Sequence, residues 1–266
     1  MTQPVIPSPA ATLVLLQDRP PTDVETLLLQ RHAKSKFAAG DYVFAGGKIE
    51  ADDMPPDGEG FCRGLTAGQA AARLDGGLAP RDALSYWVGA IREAFEEVGV
   101  LLAYDADGRL LRIPSEAKPR YEAYRTACQK ANPAFFDMLR AEHLTLATDR
   151  MAYFAHWITP EERPLRFDTR FFAAVMPPEQ EPVVDGHEIV DLKWLTPAEA
   201  IAASTRGDIG LRSPTIKNLE LVAAGGAPAA SVVESLARRE VRTIRPRMLQ
   251  VDGKPLAVLP GDPRWY

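Results

Sequence analysis

Apolar and polar positions along this chain switch between a period of two and a period of about 3.6, and the switches mark its elements. Residues 11–17 (ATLVLLQ) and 25–31 (ETLLLQR) are short runs of strand formers. The turn-like 18–23 (DRPPTD) separates them, so they predict a hairpin or adjacent strands. A short helix is expected over 66–74, broken at Gly76 and Gly77. From Asp82 onward a longer helix is predicted, with Asp82 as its cap. At ~100° per residue, Leu84, Trp87, Val88, Ile91, Phe95 and Val98 fall on one side of it, and Gly99 is a natural stop. Segments 115–131 and 133–143 also have helical spacing, and their aromatics, such as Tyr121, Tyr124, Phe135 and Phe136, read as packing residues. Strands are predicted at 151–158, 169–175 and 188–195, punctuated by Pro160, Pro164, Pro177, Pro178 and Gly186, followed by a helix over 197–204. Beyond 211, helical patterns at 214–224 and 228–239 and strand-like pieces in 241–259 predict a tail packed against the rest.

The side of the long helix away from its apolar stripe carries chemistry. Glu93, Glu96 and Glu97 fall on one narrow face. Carboxylates this close raise one another's pKa unless a cation sits among them. An all-oxygen set suits a hard divalent ion, Mg²⁺ or Mn²⁺, and not zinc or copper. A bare E-x-x-E-E also fits an exposed acidic helix end, so its surroundings must decide. Upstream, the basic run 31–36 (RHAKSK) leads into a glycine loop at 44–53 (FAGGKIEADD). Basic runs are ordinarily solvated surface, but one entering a glycine loop is equally suited to phosphate. Around Asp168, Arg166 and Arg170 make either a salt-bridged strand start or a substrate-facing one.

Composition narrows the classes. With 266 residues, 46% of them hydrophobic, the chain can bury a substantial core and is expected to form one domain. Its net charge of −5 argues against a general binder of nucleic acid or anionic membranes. Cys62 and Cys128 give no disulfide framework and fit a reducing cytosol, so a cytoplasmic location is expected. His143, His156 and His187 have no zinc-ligand spacing. Residues 1–11 lack a basic leader segment, no apolar run reaches spanning length, and 264–266 (RWY) is not a peroxisomal address.

The stretch 92–100 (REAFEEVGV) resembles the C-terminal half of the signature box of the Nudix hydrolase family. The family's box opens with a glycine and, after five residues, a glutamate; Gly47 and Asp53 fall at those positions. Between Asp53 and Arg92 stand 38 residues, 54–91, where the box has about seven, so it is split by an insertion of 31. Ahead of it, Arg31, Lys36, Gly40, Phe44, Gly46 and Gly47 are similar in spacing to the signature of the coenzyme A diphosphatase branch. There, Lys36 stands for arginine, His32 for a small residue and Ala45 for proline.

The resemblance runs over roughly 8–203 and implies a Nudix α/β/α sandwich. In that reading a mixed sheet lies between helices in a single domain over 1–266, with 54–91 as the insertion and start of the catalytic helix, and 205–266 as a helical C-terminal extension. It implies hydrolysis of a diphosphate linkage in a nucleoside diphosphate derivative, coenzyme A or acyl-coenzyme A first. ADP-ribose or dinucleotide cleavage and a non-catalytic nucleotide-binding module are the alternatives. Glu93, Glu96, Glu97 and Asp53 would hold Mg²⁺ or Mn²⁺. A motif glutamate or Glu188, with Glu181 in reserve, would act as base, while Arg92 would pair with a motif carboxylate. Arg31, Lys34 and Lys36 would meet the substrate, and Gly46 and Gly47 would let it and the metal approach. The expected partner is a small-molecule nucleotide, without nucleic acid or membrane. The insertion leaves a lid, a homodimer contact and a surface excursion open.

Overall fold

The computed structural model describes residues 5–74, 76–251 and 254–263. The C-terminal tripeptide weighed above as a targeting address lies outside the described residues. In chain order the elements are β1 (Ser8–Arg19), β2 (Asp23–Arg31), β3 (Tyr42–Val43), β4 (Ala45–Lys48), α1 (Ala67–Arg73), α2 (Pro80–Val98) and β5 (Ala103–Tyr104). There follow α3 (Lys118–Lys130), α4 (Pro133–Ala141), β6 (Thr145–Leu146), β7 (Ala152–Ile158), β8 (Phe167–Val175), β9 (Ile189–Leu195) and α5 (Pro197–Arg206). The last part holds α6 (Ser213–Ala224), α7 (Ala229–Ala237), β10 (Thr243–Ile244), β11 (Arg247–Val251) and β12 (Lys254–Val258).

The main sheet runs β10-β7-β8-β1-β2-β3, with β4 also beside β1 and β9 beside β2. It is mixed: β1 and β8 are parallel, as are β7 and β10, and the other pairings are antiparallel. Along β1 the partner changes. Its C-terminal end pairs with β2, from Leu16 opposite Thr26 to Arg19 opposite Asp23, whereas Ala10 to Leu13 pair with β4. β1 thus parts from β2 along its N-terminal half, and β4, which carries the glycine loop, takes the vacated edge.

Both faces of the sheet are covered, because successive β1 residues point to opposite sides. Leu13 and Leu15 pack with Leu27, Leu84, Trp87, Ile91 and Phe95 on the side of α2. Val14 and Leu16 pack with Leu28, Phe154, Leu219, Val222 and Val232 on the side of α6 and α7. The architecture is therefore the expected α/β/α sandwich. Among the described residues, no single helix is long and apolar enough to cross a membrane.

Within the insertion, α1 forms where expected. Thr66 accepts from the Gln69 N–H at 3.2 Å, and the Gln69 side chain accepts from the Thr66 N–H at 2.9 Å. Met54, Leu65, Ala70 and Leu74 are buried in the same core as α2, so this segment adds to the packed layer. Asp82 does not cap α2. The helix begins one turn earlier because Pro80 occupies the first helical position, where its missing N–H costs nothing.

Candidate active site

Helix α2 delivers the acidic face as a rigid unit. Its apolar stripe is fully buried, and it ends at Gly99, whose φ of 72° only glycine adopts easily. The last turn is also held from below by a side chain that sequence reasoning missed. Arg125 of α3, 2% exposed, donates to the carbonyl oxygens of Glu96 and Glu97 at 2.9 and 2.7 Å. Gln129 adds a bond to Glu96 O at 2.7 Å. A cation at a helix C-terminus favours the helix dipole and satisfies orphaned carbonyls. The packing pattern of α3 is visible in the sequence; its pairing with a turn 28 residues upstream is not.

Arg92 sits among the carboxylates, 2% exposed. Its Nη1 lies 2.9 Å from Glu93 Oε1 and 3.0 Å from Glu96 Oε2, as expected of a residue pairing with the motif. The other side of the guanidinium grips Asp53, Nε to Oδ1 at 2.5 Å and Nη2 to Oδ2 at 3.0 Å, and Nη2 also donates to Lys48 O. Asp53 Oδ2 further accepts from the Glu50 N–H at 2.8 Å. Asp53, expected among the metal ligands, is in this structure the partner of Arg92. It is 1% exposed with both oxygens engaged, and its one methylene holds it back at the short helical turn Ala51–Asp53. Against the cost of burial, Asp53, Glu93 and Glu96 hold the Arg92 guanidinium well above its ordinary pKa.

Glu97 is 5% exposed, and its Oε2 accepts from the Gly46 N–H at 2.9 Å. Burial first, and then Glu93, push its carboxyl well above the ordinary range. Burial likewise pushes Glu93 up to about 7, helped by Glu96 and opposed by Arg92. The two glycines have different reasons. A Cβ on Gly47 would fall 2.5 Å from Glu93 Oε1, whereas one on Gly46 would fall 2.4 Å from Ala11 O on β1. Gly47 therefore keeps space at the carboxylates, and Gly46 lets β4 close on β1.

A cleft of about 850 Å³ opens along this wall, lined by Glu93, Gly46, Gly47, Arg31, Lys36 and Glu188 among others. The structure brings Glu188 to the site from the bend just before β9, but Arg31 holds it, Nη2 to Oε1 at 2.5 Å. Arg31 also lies 3.8 Å from Glu97 Oε1, so it bridges two acidic groups. Lys36 and Lys48 line the cleft with no ion pair among the described residues. Lys34, also expected to meet the substrate, is exposed and is not among the residues that line it. Glu181, the reserve base, is spent on Lys118 at the surface.

Residues 63–222 match the family model of the NUDT19 Nudix domain. The chain belongs to the Nudix family. The matched segment contains the whole Nudix helix, Pro80–Val98, and begins after the glycine loop. The chain is 32% identical to the acyl-coenzyme A diphosphatase NUDT19 of Homo sapiens over 222 residues, 71% of this chain and 57% of that protein. Its Xenopus laevis counterpart is 27% identical over 208 residues, 68% and 54% of the two chains. The chain thus spans a little over half the length of the curated relatives it matches. The crystal structure of a Nudix hydrolase from Alicyclobacillus acidocaldarius superposes with a TM-score of 0.66 at 26% identity, covering 82% of this chain and 92% of that one.

The described residues contain no closed cluster of three metal-ligating side chains: Arg92 stands between Glu93 and Glu96, and Glu97 turns to Gly46. The donors nevertheless fit a hard divalent ion. They are all oxygens, Glu96 Oε1 is buried with no hydrogen-bond partner among the described residues, and burial first of all raises the Glu93, Glu96 and Glu97 carboxyls. The missing Cβ of Gly47 keeps the approach clear.

Proposed function

We propose that this chain is a divalent-metal-dependent diphosphatase that cleaves coenzyme A or an acyl-coenzyme A into 3′,5′-ADP and (acyl-)phosphopantetheine. The observation that carries the reading is the acidic turn of Glu93, Glu96 and Glu97, whose Glu93 lines a cleft that Lys36 and Lys48 also line. The relatives named as acyl-coenzyme A diphosphatases supply the substrate class. Glu93, Glu96 and Glu97 would hold Mg²⁺ or Mn²⁺, which when bound neutralises diphosphate charge and lowers the pKa of a coordinated water. Arg92 and Asp53 fix the carboxylates, the Gly46 N–H orients Glu97, and Glu188 stands at the cleft as candidate base, released when Arg31 turns to substrate. Lys36, which like Lys48 lines the cleft with no ion pair among the described residues, would meet the 3′-phosphate. A small-molecule nucleotide as the partner and a cytoplasmic location complete the reading.

The test is a panel of coenzyme A, acetyl-coenzyme A, dephospho-coenzyme A, ADP-ribose and diadenosine polyphosphates, with Mg²⁺ or Mn²⁺ and products resolved chromatographically. Coenzyme A derivatives should be cleaved best, and Lys36→Ala should raise KM for coenzyme A by roughly 10- to 100-fold while sparing dephospho-coenzyme A. Preference for ADP-ribose or dephospho-coenzyme A would overturn the substrate, and no turnover of any compound would overturn the enzyme.

A further inference from the structure

The cleft extends past the carboxylates across the open face of the sheet. Lys48 on β4 is opposite Ala10 on β1, Ala10 is opposite Thr169 on β8, and Thr169 is opposite Trp157 on β7. These four residues form one row across four strands, and all four line the cleft. Residues directly opposite one another share a face. Three steps of ~4.8 Å therefore place Trp157 roughly 14 Å from the glycine strand. The far end is largely apolar, with Arg163 beside it, its Nη2 3.9 Å from Met248 Sδ. Trp157 stands there with Phe167 and Phe171, and the C-terminal extension closes it with Pro246, Met248 and Ala257. Those three lie beyond residue 222, where the match to the family model ends. Trp157 is 4% exposed, yet its indole Nε1 is buried with no hydrogen-bond partner among the described residues. An indole N–H can only donate, so a buried one without an acceptor is left costly unless a ligand supplies the acceptor.

We propose that this arm takes the pantetheine chain of an acyl-coenzyme A, with the thioester carbonyl accepting from Trp157 Nε1 and the acyl chain lying against Met248. The inference rests on the diphosphatase reading above and assigns its second substrate subsite. Length supports it. From the phosphate ester oxygen to sulfur, pantetheine runs through about twelve bonds, the backbone length of four residues, which span roughly 13–14 Å when extended. With the diphosphate at the glycine loop, the thioester arrives at Trp157. Chemistry supports it as well: the adenosine end carries a 3′-phosphate and belongs with Lys36 and Lys48, while an uncharged aliphatic chain suits Met248 and Ala257. Acyl preference would then be set by the C-terminal extension and not by the Nudix helix.

The experiment measures kcat/KM on free, acetyl-, octanoyl- and dodecanoyl-coenzyme A for wild type, Trp157→Phe and Met248→Asp, with thermal melts alongside. Trp157→Phe keeps a ring and removes the donor, so the acyl-to-free ratio of kcat/KM should fall by about 5- to 10-fold for every thioester. Met248→Asp, at a half-buried position, should lower the ratio by about 10-fold for the octanoyl and dodecanoyl substrates and less for acetyl. Ratios unchanged in both variants, with coenzyme A still cleaved, would overturn the arm and leave the diphosphatase reading standing. If Trp157→Phe weakened dephospho-coenzyme A and ADP-ribose as much as acyl-coenzyme A, the arm would be holding adenosine, which also overturns it. A wild-type enzyme inert toward every coenzyme A derivative would remove both readings together.

Discussion

Arg92 and Arg170 are equally hidden, each 2% exposed, and each is paired with carboxylate, yet the two clusters are opposites. Around Arg170 the charges close. Its Nη1 lies 3.1 Å from Asp168 Oδ1, His156 Nε2 lies 2.5 Å from the same oxygen, and the guanidinium stacks 4.3 Å over the Tyr86 ring. Burial would raise the Asp168 carboxyl, but His156 and Arg170 outweigh it and hold it below the ordinary range. Around Arg92 the charges do not close. One guanidinium answers Asp53, Glu93 and Glu96, and Glu97 beside them has only a distant Arg31. A buried cluster whose charges cancel is structural, whereas one with a surplus is waiting for something. Residue types alone do not distinguish them.

The largest effect should come from reducing the surplus. Glu96→Gln or Glu97→Gln should lower kcat by at least ~10²-fold at saturating Mg²⁺ with an unchanged melting temperature, since each keeps shape and removes charge. Turnover within a few-fold of wild type for both variants would place the chemistry elsewhere. Next comes the group that answers Arg92. Asp53→Asn leaves a buried guanidinium less compensated, so denaturant melts should show a loss of about 2–3 kcal/mol, below the usual cost of an orphaned charge because Glu93 and Glu96 remain. Its kcat should fall less than in the glutamate variants; an equal or larger fall at full stability would make Asp53 a direct ligand after all.

The smallest effect belongs to the closed cluster. Asp168→Asn should cost about 1 kcal/mol of stability at neutral pH and leave kcat unchanged. Because the folded-state pKa of Asp168 is lowered, its contribution is complete above the ordinary aspartate value of 3.8 and is lost as pH falls below it. The difference between melts of wild type and variant should therefore be full at pH 7 and shrink progressively as pH falls below 3.8. A difference that persists in acid, or a loss of activity, would break the contrast between the clusters.

Much of this was legible in the linear chain because it is local. Helical periodicity alone put Glu93, Glu96 and Glu97 on one face and Leu84 to Val98 on the other, and every residue of that stripe is buried. The basic run before the glycine loop pointed to the cleft, although Lys34 is not among its lining residues and Lys48, a residue of the loop itself, is. The pairing of Asp53 with Arg92 was not legible because the split box hides how far its short side chain reaches. Spacing along a chain does not measure distance across the 38 residues, 54–91, between Asp53 and Arg92.

The sequence by itself determined the acidic face of one helix, which follows from spacing within a few turns, and, through the resemblance of 92–100 to the Nudix box, the family and the layered α/β/α architecture. Only the tertiary structure decided that Asp53 serves Arg92, that Arg125 ties down the helix end from another helix, and that Arg31 joins Glu188 to Glu97. It also decided that β1 changes partners midway and opens a cleft reaching to Met248 in the C-terminal extension. The physical reason is the same in each case. Charge balance and pocket shape depend on which groups meet in three dimensions, and those groups come from segments tens to hundreds of residues apart.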